Sequence, residues 1–187
     1  MKRRVPGFAL TLALVASLGA APALACGYHQ PVDLERGILN LVYPNALYVP
    51  TAVWQAQQSG LLGPADAMQA SDPFAFHGVA RRLETLGETL AGKAPEELSG
   101  FSLVLIDSML WTRYTLAYGK ALSVVHSDGA GLGDTVVVTH ELVVRALVEG
   151  DLDGERALAL GLIRLYGSDA KLQALAKLFA AVTAGAF

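Results

Sequence analysis

The stretch GDLDGERALALGLIRLYG, residues 150–167, alternates glycines with short apolar runs. Gly150 is suited to end a helix, because glycine readily adopts the left-handed conformation that closes a last turn. The run after it predicts a short helix over residues 155–160 and then a strand over 162–166, whose side chains alternate in direction. The positions that carry these roles are Gly150, Leu152, Ala157, Gly161, Ile163, Leu165 and Gly167.

Segments rich in valine, leucine and aromatic residues precede this stretch and are separated by turn residues, a pattern typical of antiparallel strands. They are residues 101–106, 110–116, 121–126 and 135–139. The segment Ser127 to Asp134 contains three glycines but is followed by a strand, whereas a dinucleotide-binding loop is followed by a helix. We therefore expect residues 127–134 to form a flexible hairpin between the last two strands.

Helical periodicity surrounds the predicted strands. Helices are expected over residues 72–90, 141–149 and 169–183, and the last has one apolar side. Nearer the N-terminus, Asp33 is placed to cap a helix that carries Leu34, Ile38, Leu41 and Val42 on one face, and Thr51 to cap a second helix ending near residue 60. Together these patterns predict an α+β fold in which an antiparallel sheet packs with helices, preceded by a helical N-terminal region.

The segment from Asp134 to Leu178 resembles the second half of a sterol carrier protein type-two domain. The resemblance rests on Asp134 and the strand after it, on Leu147 in the next helix, on the glycine and leucine frame of residues 150–167, and on Leu175 and Leu178. It needs no gap, and the earlier strands are compatible with the same sheet. It implies that the sheet and the C-terminal helix enclose an apolar groove or tunnel for a lipid or another hydrophobic ligand.

Candidate ligand contacts lie on a predicted strand and on the last helix. On the strand, Met109 and Trp111 are expected to share a face with Asp107 and Arg113, which would give an apolar site a polar end. The alternative is that Trp111 fills the core and Arg113 pairs with Asp107. The complete candidate set is Met109, Trp111, Arg113, Leu175, Leu178 and Phe179.

The N-terminal segment 1–25 has the three parts of a signal peptide. Three cations precede an apolar run over residues 8–18, and Ala23 and Ala25 are small residues at the positions a signal peptidase reads. An apolar helix retained in the fold is the alternative. The expected domains are a signal peptide over 1–25, a helical extension over 26–71 and a sterol-carrier-like domain over 72–187, exported to the periplasm or anchored at the outer membrane.

Cys26 is the only cysteine and would become the mature N-terminal residue. Ala23-Leu24-Ala25-Cys26 resembles a bacterial lipobox, although leucine stands one place later than usual. Lipidation of Cys26 would anchor the protein to a membrane, and a soluble periplasmic form is the alternative. A second hypothesis is copper or zinc binding by Cys26 and His29, two ligand types that suit these metals but are fewer than a usual site requires.

Charge and motifs restrict the remaining functions. Without Lys2, Arg3 and Arg4 the formal net charge changes from −3 to −6, which disfavours nucleic acid as a partner. No catalytic motif and no cofactor-binding motif is evident, so we expect a non-catalytic binding protein without a cofactor. The third hypothesis is a structural or interaction module whose helices over residues 33–60 dock an unknown protein through Tyr43, Tyr48 and Trp54.

Overall fold

A computed structural model describes residues 32–64 and 73–183, which form six helices and five strands. The helices are α1 (Val32–Val42), α2 (Tyr48–Gln58), α3 (Pro73–Ala91), α4 (Glu141–Glu149), α5 (Gly154–Ala159) and α6 (Asp169–Ala180). The strands are β1 (Gly100–Leu105), β2 (Leu110–Ala117), β3 (Lys120–Val125), β4 (Val136–Thr139) and β5 (Arg164–Tyr166). The fold is α+β with a helical N-terminal region, as the sequence predicts.

The five strands form one sheet in the order β3-β2-β1-β4-β5. Three of the four strand pairs are antiparallel, and the fourth, β1 with β4, is parallel. The segment 127–134 is therefore a crossover and not the predicted hairpin, because it carries the chain from edge strand β3 past β2 and β1. Every residue of β4 is buried, so burial of its three valines favours the central position over a solvent-facing edge.

One side of the sheet, which we call the α3 face, is packed by α3 and α6. The hydroxyl of Tyr114 donates a 2.9 Å hydrogen bond to the carbonyl of Leu83 in α3. The ring of Phe101 stacks on Tyr114 at 4.7 Å and meets Phe179 of α6 edge-on at 6.2 Å. All four residues are almost fully buried, so this side of the sheet contains the main hydrophobic core.

On the opposite side, the α1 face, α1, α2 and the turn between them contact β5, the residues just after β1 and Trp111 of β2. The ring of Tyr43 lies 5.2 Å from that of Tyr166, whose hydroxyl donates to the carbonyl of Pro44 at 2.9 Å. The guanidinium of Arg36 donates to the carbonyls of Ile106 and Asp107 just beyond β1, at 2.7 and 2.5 Å. These contacts fix the N-terminal helices to the sheet.

The N-terminal helices depart from the sequence-based prediction in two ways. Among the described side chains of α1, Leu39 is buried, whereas Ile38, Leu41 and Val42 of the predicted apolar face are exposed. In α2 the helix begins at Tyr48 and not after a Thr51 cap, because Pro50 fits the first turn, where a helix needs no donor. Among the described residues, no helix is long and apolar enough to cross a membrane.

The glycine frame has the predicted local structure. Gly150 ends α4 in the left-handed conformation with φ 77°, and Gly161 turns the chain after α5 with φ 69°. Leu152 and Ala157 are buried, and Ile163 leads into β5. Helix α4 has the predicted bounds, and the strands begin or end within two residues of the predicted segments.

Candidate functional site

The predicted ligand contacts lie on opposite sides of the sheet. Leu175, Leu178 and Phe179 of α6 are at most 2% exposed and pack on the α3 face. Trp111 and Arg113 point from β2 to the α1 face, because they alternate with the buried Thr112 and Tyr114. The two groups are separated by the sheet and cannot line one site. Ligand binding by either group stays a prediction.

Met109 and Asp107 do not extend the strand face as predicted. Met109 lies in the turn before β2 with φ 55°, so its side-chain direction is set by the turn and not by strand alternation. Asp107 points toward the start of α4, where its Oδ1 accepts a 3.1 Å hydrogen bond from the backbone of Glu141. The alternative pair of Asp107 with Arg113 is therefore wrong, since the described acidic partner of Arg113 is Asp134.

Trp111 belongs to an aromatic cluster on the α1 face. Its ring lies 6.3 Å from that of Tyr43, which in turn contacts Tyr166. Burial raises the pKa of Tyr43, and the negative charge of Asp134 raises it further. Burial also raises the pKa of Tyr166, against the smaller opposing effect of Arg164. Both phenols are therefore neutral hydrogen-bond donors near pH 7.

Arg113 and Asp134 form the polar part of the same region. Oδ2 of Asp134 accepts hydrogen bonds from Ser102 Oγ at 2.5 Å and from the backbone of Gly131 at 2.8 Å, which closes the crossover onto the sheet. Nε of Arg113 is 3.7 Å from that carboxylate, and Nη2 donates to the carbonyl of Gly129 at 3.1 Å. The Arg113 side chain remains 45% exposed, so its charge is accessible to a ligand.

Tyr43 contacts Trp111, and the crossover contacts Arg113, but the rest of the α1 face of β2 and β3 is exposed. Val124 pairs directly with Arg113 and Leu122 with Thr115, so all four side chains point to this side. Leu122 is 67% exposed and Val124 is 50% exposed. We call this surface the open half-face. An aromatic wall of Trp111 and Tyr43, a cationic group and exposed aliphatic side chains therefore lie together on one side of the sheet.

Two further grooves are open to solvent and have charged rims. One of about 470 Å³ lies between the α3–β1 connection and α6, and it includes Leu178. The other, of about 400 Å³, lies at α5 and the end of α6.

Within the described part of the chain, no group of three or more histidine, cysteine, aspartate or glutamate side chains could hold a metal ion. The predicted signal peptide, Cys26 and His29 lie outside the described residues.

Sequence reasoning missed Tyr43, Tyr166 and Ser102 as members of this region. The sequence places Tyr43 among residues that could dock a protein, and nothing local indicates that it contacts strand β2, which lies far along the chain. A usable signal was present in β3, where Leu122 and Val124 alternate with Ala121 and Ser123. Small side chains on one side of a strand allow a helix to pack closely against that side. In the structure α3 packs on the side of Ala121 and Ser123, with Gly87 against Ser123.

Comparison with known proteins found similarity to solved structures at low sequence identity. No family model matches the chain, and no curated protein matches it. Among solved structures, a sec-alkylsulfatase from Pseudomonas sp. is 21% identical over 62% of this chain, which spans 17% of the sulfatase, with a TM-score of 0.36. A double mutant of that sulfatase matches 65% of this chain and 19% of its own, with a TM-score of 0.37.

A third structure is a Thermus thermophilus protein described as possibly a sterol carrier protein. It is 19% identical, and the match covers 66% of this chain and 96% of the Thermus protein, with a TM-score of 0.31.

Proposed function

We propose that this protein is an exported, non-catalytic carrier that binds a lipid or another apolar molecule with a polar head on the open half-face. The observation that carries the proposal is the pair of exposed side chains Leu122 and Val124 beside Trp111 and Arg113. A ligand that covers apolar side chains on an exposed sheet face removes their surface from water. This burial favours binding by about 25 cal/mol per Å² of apolar surface. The Arg113 guanidinium would bind the polar head of the ligand.

The proposal moves the site from the side of the sheet that the resemblance favoured. On the α3 face, Leu175, Leu178 and Phe179 are packed against Phe101 and its neighbours. A ligand there would have to displace well-packed side chains, whose loss costs about 2–5 kcal/mol each. On the open half-face a ligand displaces only water. Binding on the open half-face therefore requires no rearrangement of the core.

Palmitate is a suitable first probe because it combines an apolar chain with an anionic head. The protein has two tryptophans, so Trp54→Phe leaves Trp111 as the only indole reporter. We expect palmitate to shift the Trp111 emission to shorter wavelength. Val124→Glu should weaken binding at least tenfold, because it places a charge in the apolar contact and a tenfold loss requires only about 1.4 kcal/mol.

Leu160→Glu is the matched control, because Leu160 is 47% exposed at the end of α5 and is not part of the open half-face. It should bind palmitate as the parent does. Equal binding by the Val124 and Leu160 variants would contradict the proposed site. Native mass spectrometry of the purified protein, together with lipid extraction, then tests whether the cell supplies a ligand.

Export and anchoring are separate parts of the proposal. They are supported by the cationic and apolar leader and by Cys26 after Ala25. The intact mass of natively expressed protein distinguishes the forms. Residues 26–187 with a diacylglyceryl group and an acyl chain would establish the anchor, and the unmodified mass of the same residues would show a soluble exported protein. Retention of the segment 1–25 would contradict export by cleavage.

A further inference from the structure

The two N-terminal helices expose large apolar side chains. Of these, Tyr48 also contacts the sheet, since the guanidinium of Arg164 in β5 lies 5.5 Å from the centre of its ring. On α1 these are Ile38, Leu41 and Val42, which lie at helical spacing away from the buried Leu39. Leu41 is 82% exposed. On α2 and just before it they are Leu47, Tyr48 and Trp54, while Val49, Val53 and Ala56 are buried. Six of the large exposed hydrophobic side chains thus lie in the short segment from Ile38 to Trp54.

The same segment is uncharged over its whole length. From Gly37 to Ala65 the sequence contains no lysine, arginine, histidine, aspartate or glutamate. Ordinary surface helices carry charge on the side that faces water, and a large exposed apolar patch marks an interaction site. The exposed aromatic residues, Tyr48 and Trp54, have the amphipathic rings that are enriched at the level of lipid headgroups. This composition fits a lipid interface better than a charged protein surface.

The position of the segment in the chain points to the same occupant. Helix α1 begins at Val32, six residues after Cys26, the predicted lipidation site. Six extended residues span at most about 20 Å, so an acyl chain at Cys26 would hold α1 close to the bilayer surface. A short tether of this kind favours contact between α1 and the membrane over contact with a distant partner.

Helices α1 and α2 together are called the N-terminal hairpin. We propose that the outer side of this hairpin docks on the surface of a lipid bilayer. Leu41, Val42 and Trp54 enter the headgroup region, while Tyr43 and Val53 continue to face the protein. Docking of this kind does not depend on the open half-face, which lies over β2 and β3. It would bring a lipid carrier to the surface from which its ligand is taken.

Binding to phosphatidylcholine vesicles tests the proposal. The chain is expressed from its full sequence with Cys26→Ser, so that no acyl chain is attached, and with Trp111→Phe, so that Trp54 is the only indole. We expect co-sedimentation with the vesicles, a shift of Trp54 emission to shorter wavelength, and quenching by lipids brominated in the upper acyl chain. Because the segment from Gly37 to Ala65 is uncharged, raising salt to about 0.5 M should change binding by no more than about twofold.

Leu41→Glu should reduce vesicle binding at least tenfold, and the matched control Leu160→Glu should not. Leu41 is more exposed than Leu160, so neither change should alter the circular dichroism spectrum. Equal vesicle binding by the two variants would overturn the proposal. It would also fail if Trp54 stays unquenched by brominated lipid, or if Leu41→Glu only converts a dimer to a monomer, which would make the hairpin an interface between copies.

Discussion

At the scale of single residues, the backbone of Gly154 lies against the end of α6. Its N–H donates to the carbonyl of Val182 at 2.9 Å, and a Cβ at this position would overlap the carbonyl of Phe179. Gly154→Ala should therefore lower the free energy of unfolding by about 2 kcal/mol, the typical cost of overpacking. Urea denaturation measures the change.

The same substitution in α1 provides the control. Gly37 lies inside the helix and nothing is within 4 Å of a Cβ added there. Gly37→Ala should raise the free energy of unfolding by up to about 1 kcal/mol, because alanine loses less backbone entropy in a helix. A stabilising effect at both positions would show that α6 does not approach Gly154 as described.

A second residue-scale prediction concerns His140 and pH. Its Nδ1 caps α4 by accepting from the backbone of Leu142 at 3.2 Å, which requires an unprotonated nitrogen. Burial lowers the pKa of His140 below its usual 6.5 and outweighs the opposing charge of Asp107, while Arg36 lowers it further. Between the two pKa values the unfolded chain binds the extra proton, so stability falls as the pH drops below 6.5.

We expect the urea midpoint to fall between pH 7 and pH 5 in the parent protein. His140→Asn keeps a side-chain oxygen that can cap α4 but does not titrate. Its stability should depend less steeply on pH, by up to about 1.4 kcal/mol per pH unit, the limit for one proton. The explanation is wrong if parent and variant have the same slope.

At the scale of elements, Arg36 joins α1 to the sheet. It donates to two carbonyls beyond the end of β1, and charged hydrogen bonds of this kind contribute about 1.5–3 kcal/mol. Arg36→Met keeps an unbranched apolar side chain and removes the donors. Amide hydrogen exchange should then accelerate in α1 and α2 more than in α4. Uniform acceleration in all helices would mean that the hairpin unfolds only together with the sheet.

Element positions could largely be predicted from the sequence, because turn residues and periodicity are local signals. Gly150 and the valines of β4 illustrate this, since each specifies its own conformation. The neighbour of β4 could not be predicted, because its four buried residues suit any central position in a sheet. The direction of α1 was also missed, because Ile38, Leu41 and Val42 form an apolar stripe whether or not a protein surface covers it.

The candidate site was predicted in part for the same reason. Alternation along β2 places Trp111 and Arg113 on one side of the sheet, and both side chains lie there in the structure, while ligand binding by them stays a prediction. Assigning the α6 residues to the same site required knowing which side of the sheet α6 packs on, and that depends on contacts between Phe101 and Phe179 that are distant in sequence. The partner of Arg113 is distant as well, since Asp134 reaches it only through the crossover.

At the scale of the whole molecule, the N-terminal hairpin is one of two helical layers. Val104, Val136 and Val138 point to the α1 face and are at most 2% exposed, and α1 and α2 lie on that side. Deleting residues 32–58 would uncover them and Tyr166, and each buried aliphatic side chain contributes about 1.5–3 kcal/mol. The sum is comparable to the whole stability of an ordinary domain. We therefore expect the deletion to abolish cooperative thermal unfolding, followed by near-ultraviolet circular dichroism.

The double variant Leu41→Glu with Trp54→Glu separates packing from docking in the same experiment. Both side chains are largely exposed, so the pair should retain a cooperative transition within a few degrees of the parent while losing vesicle binding. The deletion and the double variant therefore have opposite expected effects on folding. If the deleted chain instead unfolds cooperatively, the sheet and the remaining helices form a domain without the hairpin. The hairpin would then be a separable docking module, and another part of the chain would have to cover the three valines.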